Sequence, residues 1–232
     1  MKRTPVRTAA AALALAALSA LPPAALAGAF DTYFDRASFE AAVGEPMGVE
    51  DFGNTFRFPI TTGVLNSQTD LVVQFGPPIT PGLILPGVTY STPVGESFFF
   101  NIDSAGGFDG GFLDGFYGGD PNRRLTVTFD APTRAFGFDT NSLAPNLEVV
   151  VTFADATQQS YGVFITGSPL RFFGFVSQGG ADIVSATIGG NDNGLFAFAI
   201  DNFTSPAVVP EPGSALLLLA GLAAVGAVVR RR

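Results

Sequence analysis

The sequence contains no cysteine, no histidine and no tryptophan, and its one lysine is Lys2. Those absences remove most familiar catalytic kits. There is no Ser-His-Asp or Cys-His nucleophile system, no thiolate or imidazole zinc site, and no haem iron held by His or Cys. No disulfide framework holds the fold, although a lack of cysteine does not by itself name a compartment. Oxygen chemistry survives, either as carboxylate acid/base pairs of the glycosidase kind or as binding of hard cations.

Positive charge is the next scarcity. Lys2, Arg3, Arg7, Arg230, Arg231 and Arg232 are half of the twelve basic residues, so residues 28–211 hold six cations against all twenty Asp and Glu. Phosphate backbones are bound by cationic surfaces, and nucleic acid is therefore excluded as an expected partner.

Both ends read as address labels. The segment from Met1 to Arg7 is cationic, residues 8–21 are uncharged and rich in Ala and Leu, and Pro22, Pro23, Ala25, Leu26 and Ala27 follow. This is the three-part order of a secretory signal peptide, with the small residues Ala25 and Ala27 at the −3 and −1 positions of a cut after Ala27. An uncleaved anchor helix is the alternative, but the apolar core is short for a span and the proline pair would break it. The export translocon and signal peptidase are expected partners, and their action leaves no lysine for a Schiff base.

At the other end, Val209, Pro210, Glu211, Pro212 and Gly213 precede an apolar run over residues 214–229, and Arg230, Arg231 and Arg232 follow it. As a helix that run spans about 24 Å, against a hydrocarbon core of roughly 30 Å. Bilayer thinning and arginine snorkelling close the gap, and the three arginines hold their end in the cytoplasm, so the body faces outward. A buried core helix is the alternative. The order of Pro-Glu-Pro motif, short apolar helix and basic cluster, in a chain with a signal peptide, resembles the tripartite tail of PEP-CTERM sorting-domain proteins. The resemblance implies recognition by an exosortase, an integral-membrane, transpeptidase-like enzyme of exopolysaccharide-producing Gram-negative bacteria. The tail is then removed and the protein passes to the cell surface or matrix. In that case Val209, Pro210, Glu211 and Pro212 are substrate residues of another enzyme. Prolines suit the role because they keep a segment extended and within reach of a membrane-bound active site. A plain tail anchor behind a Pro-rich linker is the alternative.

Between the labels, residues 28–207 are expected to form one domain. Strand-type runs cover 125–130, 134–140, 147–153, 159–166, 171–177, 182–188 and 195–203. In the first, Leu125, Val127 and Phe129 alternate with Thr126 and Thr128, the period of a half-buried strand. Turn signals at 130–132, 144–146, 178–180 and 191–194 separate the runs. The first half is looser: a helical turn over 38–43 closed by Gly44, and short strands over 48–52, 71–75, 87–90 and 97–102 among Pro77, Pro78, Pro81 and Pro86. About eleven strands predict an all-β fold, a two-sheet antiparallel β-sandwich of the jelly-roll, carbohydrate-binding-module kind, with one short N-terminal helix and a separate C-terminal transmembrane helix. No fixed internal period supports a β-helix.

Phenylalanine is abundant, 24 residues against 4 Tyr. Sugar-stacking platforms favour rings that tolerate a wet edge, so Phe172, Phe173, Phe175, Phe196 and Phe198 are expected in the core. Tyr90, Tyr117 and Tyr161 remain as candidate platforms.

Candidate metal ligands are Glu50, Asp51 and Asp201. The segments Val49–Phe52 and Ile200–Phe203 resemble the two ends of galactose-binding-like jelly rolls, and the resemblance implies that an early acid and an Asp of the last strand hold a structural calcium. Calcium takes six to eight oxygens, which this composition can supply. Asp201 alternates with Ala197 and Ala199, away from Ile200, and is expected at a rim. Asp103, Asp109, Asp114 and Asp120 lie in a Gly-rich stretch that matches neither the EF-hand nor the RTX spacing and reads as a surface loop. The sequon at Asn202 and Thr204 is read as coincidence. The leading reading is a noncatalytic exported surface or matrix protein associated with extracellular polysaccharide. A carboxylate-dependent polysaccharide hydrolase and an uncleaved tail-anchored structural protein are the alternatives.

Overall fold

The computed structural model describes residues 28–52, 63–72, 77–91, 99–102, 111–118, 124–140, 146–164, 170–190 and 195–207. The segment 1–27 and the tail 208–232, including the apolar run 214–229, lie outside the described residues.

The chain enters as strand β1 (Phe30–Tyr33) and turns at once into helix α1 (Arg36–Val43). Asp35 starts the helix, because its carboxylate accepts from the Ser38 amide and hydroxyl, both at 2.8 Å, and so satisfies a donor with no partner within the helix. Gly44 ends it in the left-handed conformation at φ 70°, its amide donating to the Glu40 carbonyl. Arg134 donates to the Val43 and Ala42 carbonyls at 3.2 and 3.4 Å and closes the same terminus from a different part of the chain.

Twelve further strands follow: β2 (Met47–Glu50), β3 (Val64–Asn66), β4 (Val88–Ser91), β5 (Phe99–Ile102), β6 (Gly111–Gly118), β7 (Leu125–Thr133), β8 (Ala135–Thr140), β9 (Asn146–Phe153), β10 (Gln158–Phe164), β11 (Arg171–Ser177), β12 (Ile183–Gly190) and β13 (Leu195–Pro206). One sheet has the order β1-β11-β8-β13-β6-β5 with β2 also on β13, and the other runs β10-β9-β12-β7-β4-β3. All these pairings are antiparallel. Among the described residues, the expected two-sheet antiparallel sandwich with one short helix is the architecture found.

Alternation sorts the side chains. Phe136 and Phe138 of β8, Phe173 and Phe175 of β11 and Phe203 of β13 point between the sheets, where they meet Val127, Val149, Val151 and Ile188 of the second sheet. Phe136 stacks on Phe175 at 5.0 Å and on Phe203 at 6.1 Å. The opposite face of the first sheet carries α1, with Phe39 and Val43 packed on Ala135, Phe172 and Val176. Gly174 leaves room for the Phe39 ring, since a Cβ there would come within 2.4 Å of it.

Several expectations change. Phe172, Phe173 and Phe175 are buried as expected, while the side chains of Phe196, Phe198 and Tyr117 lie outside those described. Strands β1 and β3 were not expected; in the run 71–75, Leu71 forms an isolated bridge to Ile79, and residues 73–75 lie outside the described residues. The 130–132 turn signal falls inside β7, where the register to β12 jumps between Ile183 opposite Thr133 and Ser185 opposite Thr128. Proline and turn residues are accommodated there as a bulge. The Gly-rich stretch read as a loop contains strand β6, paired to β5 and β13, with Leu113 fully buried opposite Ile200. Glycine hides the side-chain alternation, but ladders on both sides of the strand hold its backbone.

Tyr90 is not a platform. It is fully buried, with Phe52 and Phe203 each 5.4 Å away edge-on, and its hydroxyl has no hydrogen-bond partner among the described residues. Burial first, and then the charge of Glu50, push its ionisation well above the usual phenol range. A buried hydroxyl without a partner costs stability. Tyr90→Phe is therefore expected to stabilise the fold by about 1 kcal/mol, read as a higher midpoint of chemical unfolding; a lower midpoint would show that the hydroxyl is satisfied.

Candidate functional site

Strand β13 carries the candidate acids because it changes partners along its length. Leu195–Ile200 pair with β6, and Phe203–Pro206 pair with β2. On its other side β13 pairs with β8 between Ile200 and Thr204, where the register slips by one residue between Asp201 opposite Asp139 and Thr204 opposite Gly137. Asn202, at φ 46°, is the extra residue of that bulge.

The bulge decides which acids meet. Phe203 returns to the inter-sheet core, and Glu50, its register partner on β2, faces the same side. There Glu50 is 5% exposed, and its carboxylate accepts from the Phe52 amide at 2.9 Å and the Leu85 amide at 2.7 Å. It staples the end of β2, where Phe52 sits at φ 51°, to the segment leading into β4. Asp201 faces the helix side of the sheet instead, so Glu50 and Asp201 lie on opposite faces of it. First and last segments are neighbours as expected, yet their acids are not brought together.

Asp201 is on the expected face but not at a rim. It is 2% exposed, and Asp139 opposite it is 9% exposed, because the start of α1 roofs this part of the sheet. Arg36, the first helical residue, donates to Asp139 at 3.0 Å and to the Asn202 carbonyl at 3.2 Å, with its guanidinium 4.5 Å from the centre of the Phe172 ring. The Asn202 side-chain amide donates to Asp139 at 2.9 Å, and its backbone amide donates to Asp201 at 2.6 Å. Arg36, Asp139, Asn202 and Asp201 thus form one polar network. Asp51 is exposed and reaches Asp201 through its charge alone.

Among the described residues no three acidic side chains gather closely enough to hold a metal ion. Glu50 is turned to the other face, and a guanidinium already lies against Asp139 and the Asn202 carbonyl. The set Glu50, Asp51 and Asp201 is therefore not gathered at one point among the described residues. Sequence reasoning missed Arg36 and Asp139. The alternation of β8 put Asp139 on a known face, but only the pairing with β13 set it beside Asp201.

A second patch lies at the edge formed by β1 and β11. Phe34 is 62% exposed, stands edge-on against Phe173 at 5.8 Å and lies 6.3 Å from Tyr161. With Leu170, Arg171, Phe172 and Phe173 it lines a pocket of about 300 Å³. Tyr161, a candidate platform, is half-buried and packs on Phe175.

Burial pushes the Asp201 carboxyl up to about 7. The charges of Asp139 and Asp51 act in the same direction, opposed by the Asn202 amide and by Arg36. A folded carboxyl that holds its proton this long stabilises the fold fully below the ordinary value of 3.8, and that contribution is lost as pH climbs through about 7. The thermal midpoint is expected to fall between pH 4.5 and 7.5, and Asp201→Asn to flatten the slope; an unchanged slope in the variant would assign the pH dependence elsewhere.

Comparison with known proteins adds the following. No curated protein matches the chain. Among solved structures, the family 11 carbohydrate-binding module of the cellulosomal cellulase Lic26A-Cel5E of Clostridium thermocellum is 13% identical, with 53% of this chain and 89% of that one covered at a TM-score of 0.35. The family 11 module from Clostridium thermocellum in complex with a β-1,3-1,4-mixed-linked tetrasaccharide, also 13% identical, covers 52% and 89% at 0.33. The isomalto-dextranase of Arthrobacter globiformis T6 complexed with panose is 19% identical, with 77% of this chain but 34% of that enzyme covered, at 0.30. At these scores the likeness carries nothing about function. Residues 208–232 match the family model of the PEP-CTERM protein-sorting motif, the recognition signal of exosortases, and mark the chain as an exported surface protein.

Proposed function

We propose that this protein is a noncatalytic component of the cell surface or extracellular matrix. Its tail holds it briefly in the inner membrane for an exosortase-type enzyme, and its sandwich associates with extracellular polysaccharide. The observation that carries the reading is the sorting motif at 208–232. The described core supports it, since its residues run from Phe30 to Phe203, ahead of the motif. The Ala207 amide donates to the Pro46 carbonyl at 2.9 Å, which ties the chain to the body three residues before Pro210.

Polysaccharide association is supported by the Phe34 patch. A ring braced by Phe173 and Tyr161 presents an apolar face to the C–H face of a sugar, and the exposed Arg171 offers several hydrogen-bond donors to hydroxyls beside it. Such pairing of an apolar surface with a few polar groups is the usual composition of a small-ligand site.

Mass measurement of the mature C-terminus tests the sorting half: residues beyond the Pro210–Pro212 motif are expected to be missing in cells with an active sorting enzyme and present without it. Mature protein retaining Arg232 in both would overturn it. For the body, gel-retardation affinity for polysaccharides of the producing organism is expected to fall at least tenfold in Phe34→Ala and to stay unchanged in Val72→Ala, which removes a side chain 85% exposed elsewhere. Equal retention of both variants would move the contact away from Phe34, and no retention of the parent would leave a scaffold without glycan affinity.

A further inference from the structure

We propose that Arg36 supplies from within the chain the positive charge that a bound divalent cation would supply to the Asp139–Asp201 pair, so that the fold is independent of calcium and Arg36 guards a latent cation site. The two carboxyl groups sit directly opposite each other across β8 and β13 and are both largely buried. Like charges in that relation oppose strand pairing, and burial adds to the cost. A compensating cation is required wherever both are ionised.

Arg36 meets that need in the manner of a metal. Its Nη2 atom bridges the Asp139 carboxylate and the Asn202 carbonyl, the two kinds of oxygen a hard cation collects. The bulge at Asn202 offers both that carbonyl and the side-chain amide that bonds Asp139. The guanidinium carbon lies 4.5 Å from the centre of the Phe172 ring, a cation–π contact within the usual range. Its Nη1 atom is buried with no partner among the described residues, so the group is not placed by hydrogen bonding alone. Helix electrostatics argue against a cation at this position, because the first turn of α1 presents the positive end of the helix dipole. Arg36 stands there against that field, and the carboxylate pair beneath it accounts for its place.

The test is thermal unfolding of the full chain in detergent at about pH 8, above the point where Asp201 gives up its proton, in EDTA and in millimolar calcium. The parent midpoint is expected to be the same in both. Arg36→Gln should lower the midpoint in EDTA by on the order of 10 °C, and calcium should recover several degrees of it. The double variant Arg36→Gln with Asp139→Asn should regain stability relative to Arg36→Gln and lose the calcium response, because one charge of the pair is gone. A calcium-stabilised parent, or an Arg36→Gln variant that ignores calcium, overturns the proposal. If Arg36→Gln does not fold, a folded double variant supports the compensating role, and an unfolded one overturns it.

Discussion

A single extra residue in β13, Asn202, is the constraint on which the rest of the structure depends. Without the slip between Asp201 and Thr204, the strand's alternation would continue unbroken, and Phe203 would leave the inter-sheet core. With it, the same strand pairs with β6 along its first half, β2 along its end and β8 across the bulge. It also aims Phe203 inward at Tyr90, Phe129 and Phe136. The left-handed backbone at Asn202 is held by the residue's own bonds to Asp139 and Asp201 and by Arg36 on its carbonyl, so the bulge and the polar network fix each other.

That arrangement separates two jobs along one strand. The helix side carries the buried acids under Arg36, and the end of the strand, tied through Ala207 to Pro46, leads the chain out toward the sorting motif. Strand β2 links them. Through Glu50 it fixes the Phe52 and Leu85 amides, and through its pairing to residues 203–206 it keeps the exit point in register with the sandwich. Pulling on the tail therefore loads the Ala207–Pro46 bond first, and then the β2–β13 ladder with the Thr204 hydroxyl bond to the Gly48 carbonyl.

The core shows what a chain without tryptophan does to fill a sandwich. Phe175, Phe136, Phe203 and Phe129, in that order, form a run of stacked rings across the two sheets. Glycines at 137 and 174 leave space on the outer face for Phe172 and Phe39, so that α1 can lie close to the strands. Phe34 stays 62% exposed outside this packing, and the proposed glycan patch is legible only once its neighbours are known.

The strands of the second half were readable along the chain because their apolar residues recur with period two and their turns carry Gly, Pro and Asn at the breaks. Leu125–Thr133, Arg171–Ser177 and Leu195–Pro206 all begin at the residues their patterns indicate. Strand β6 was not readable, because five residues of Gly111–Gly118 are Gly, Asp or Tyr and the ladder that holds it belongs to β5 and β13. The address label was legible for a different reason: a sorting motif is recognised as a linear segment, so its order in sequence is its chemistry. The acids were half legible. Alternation places Asp201 on a face, but whether that face is wet, and whether Glu50 or Asp139 stands beside it, is settled by strand register and by where α1 docks. Those depend on contacts between residues 63 to 166 positions apart, which no local pattern encodes.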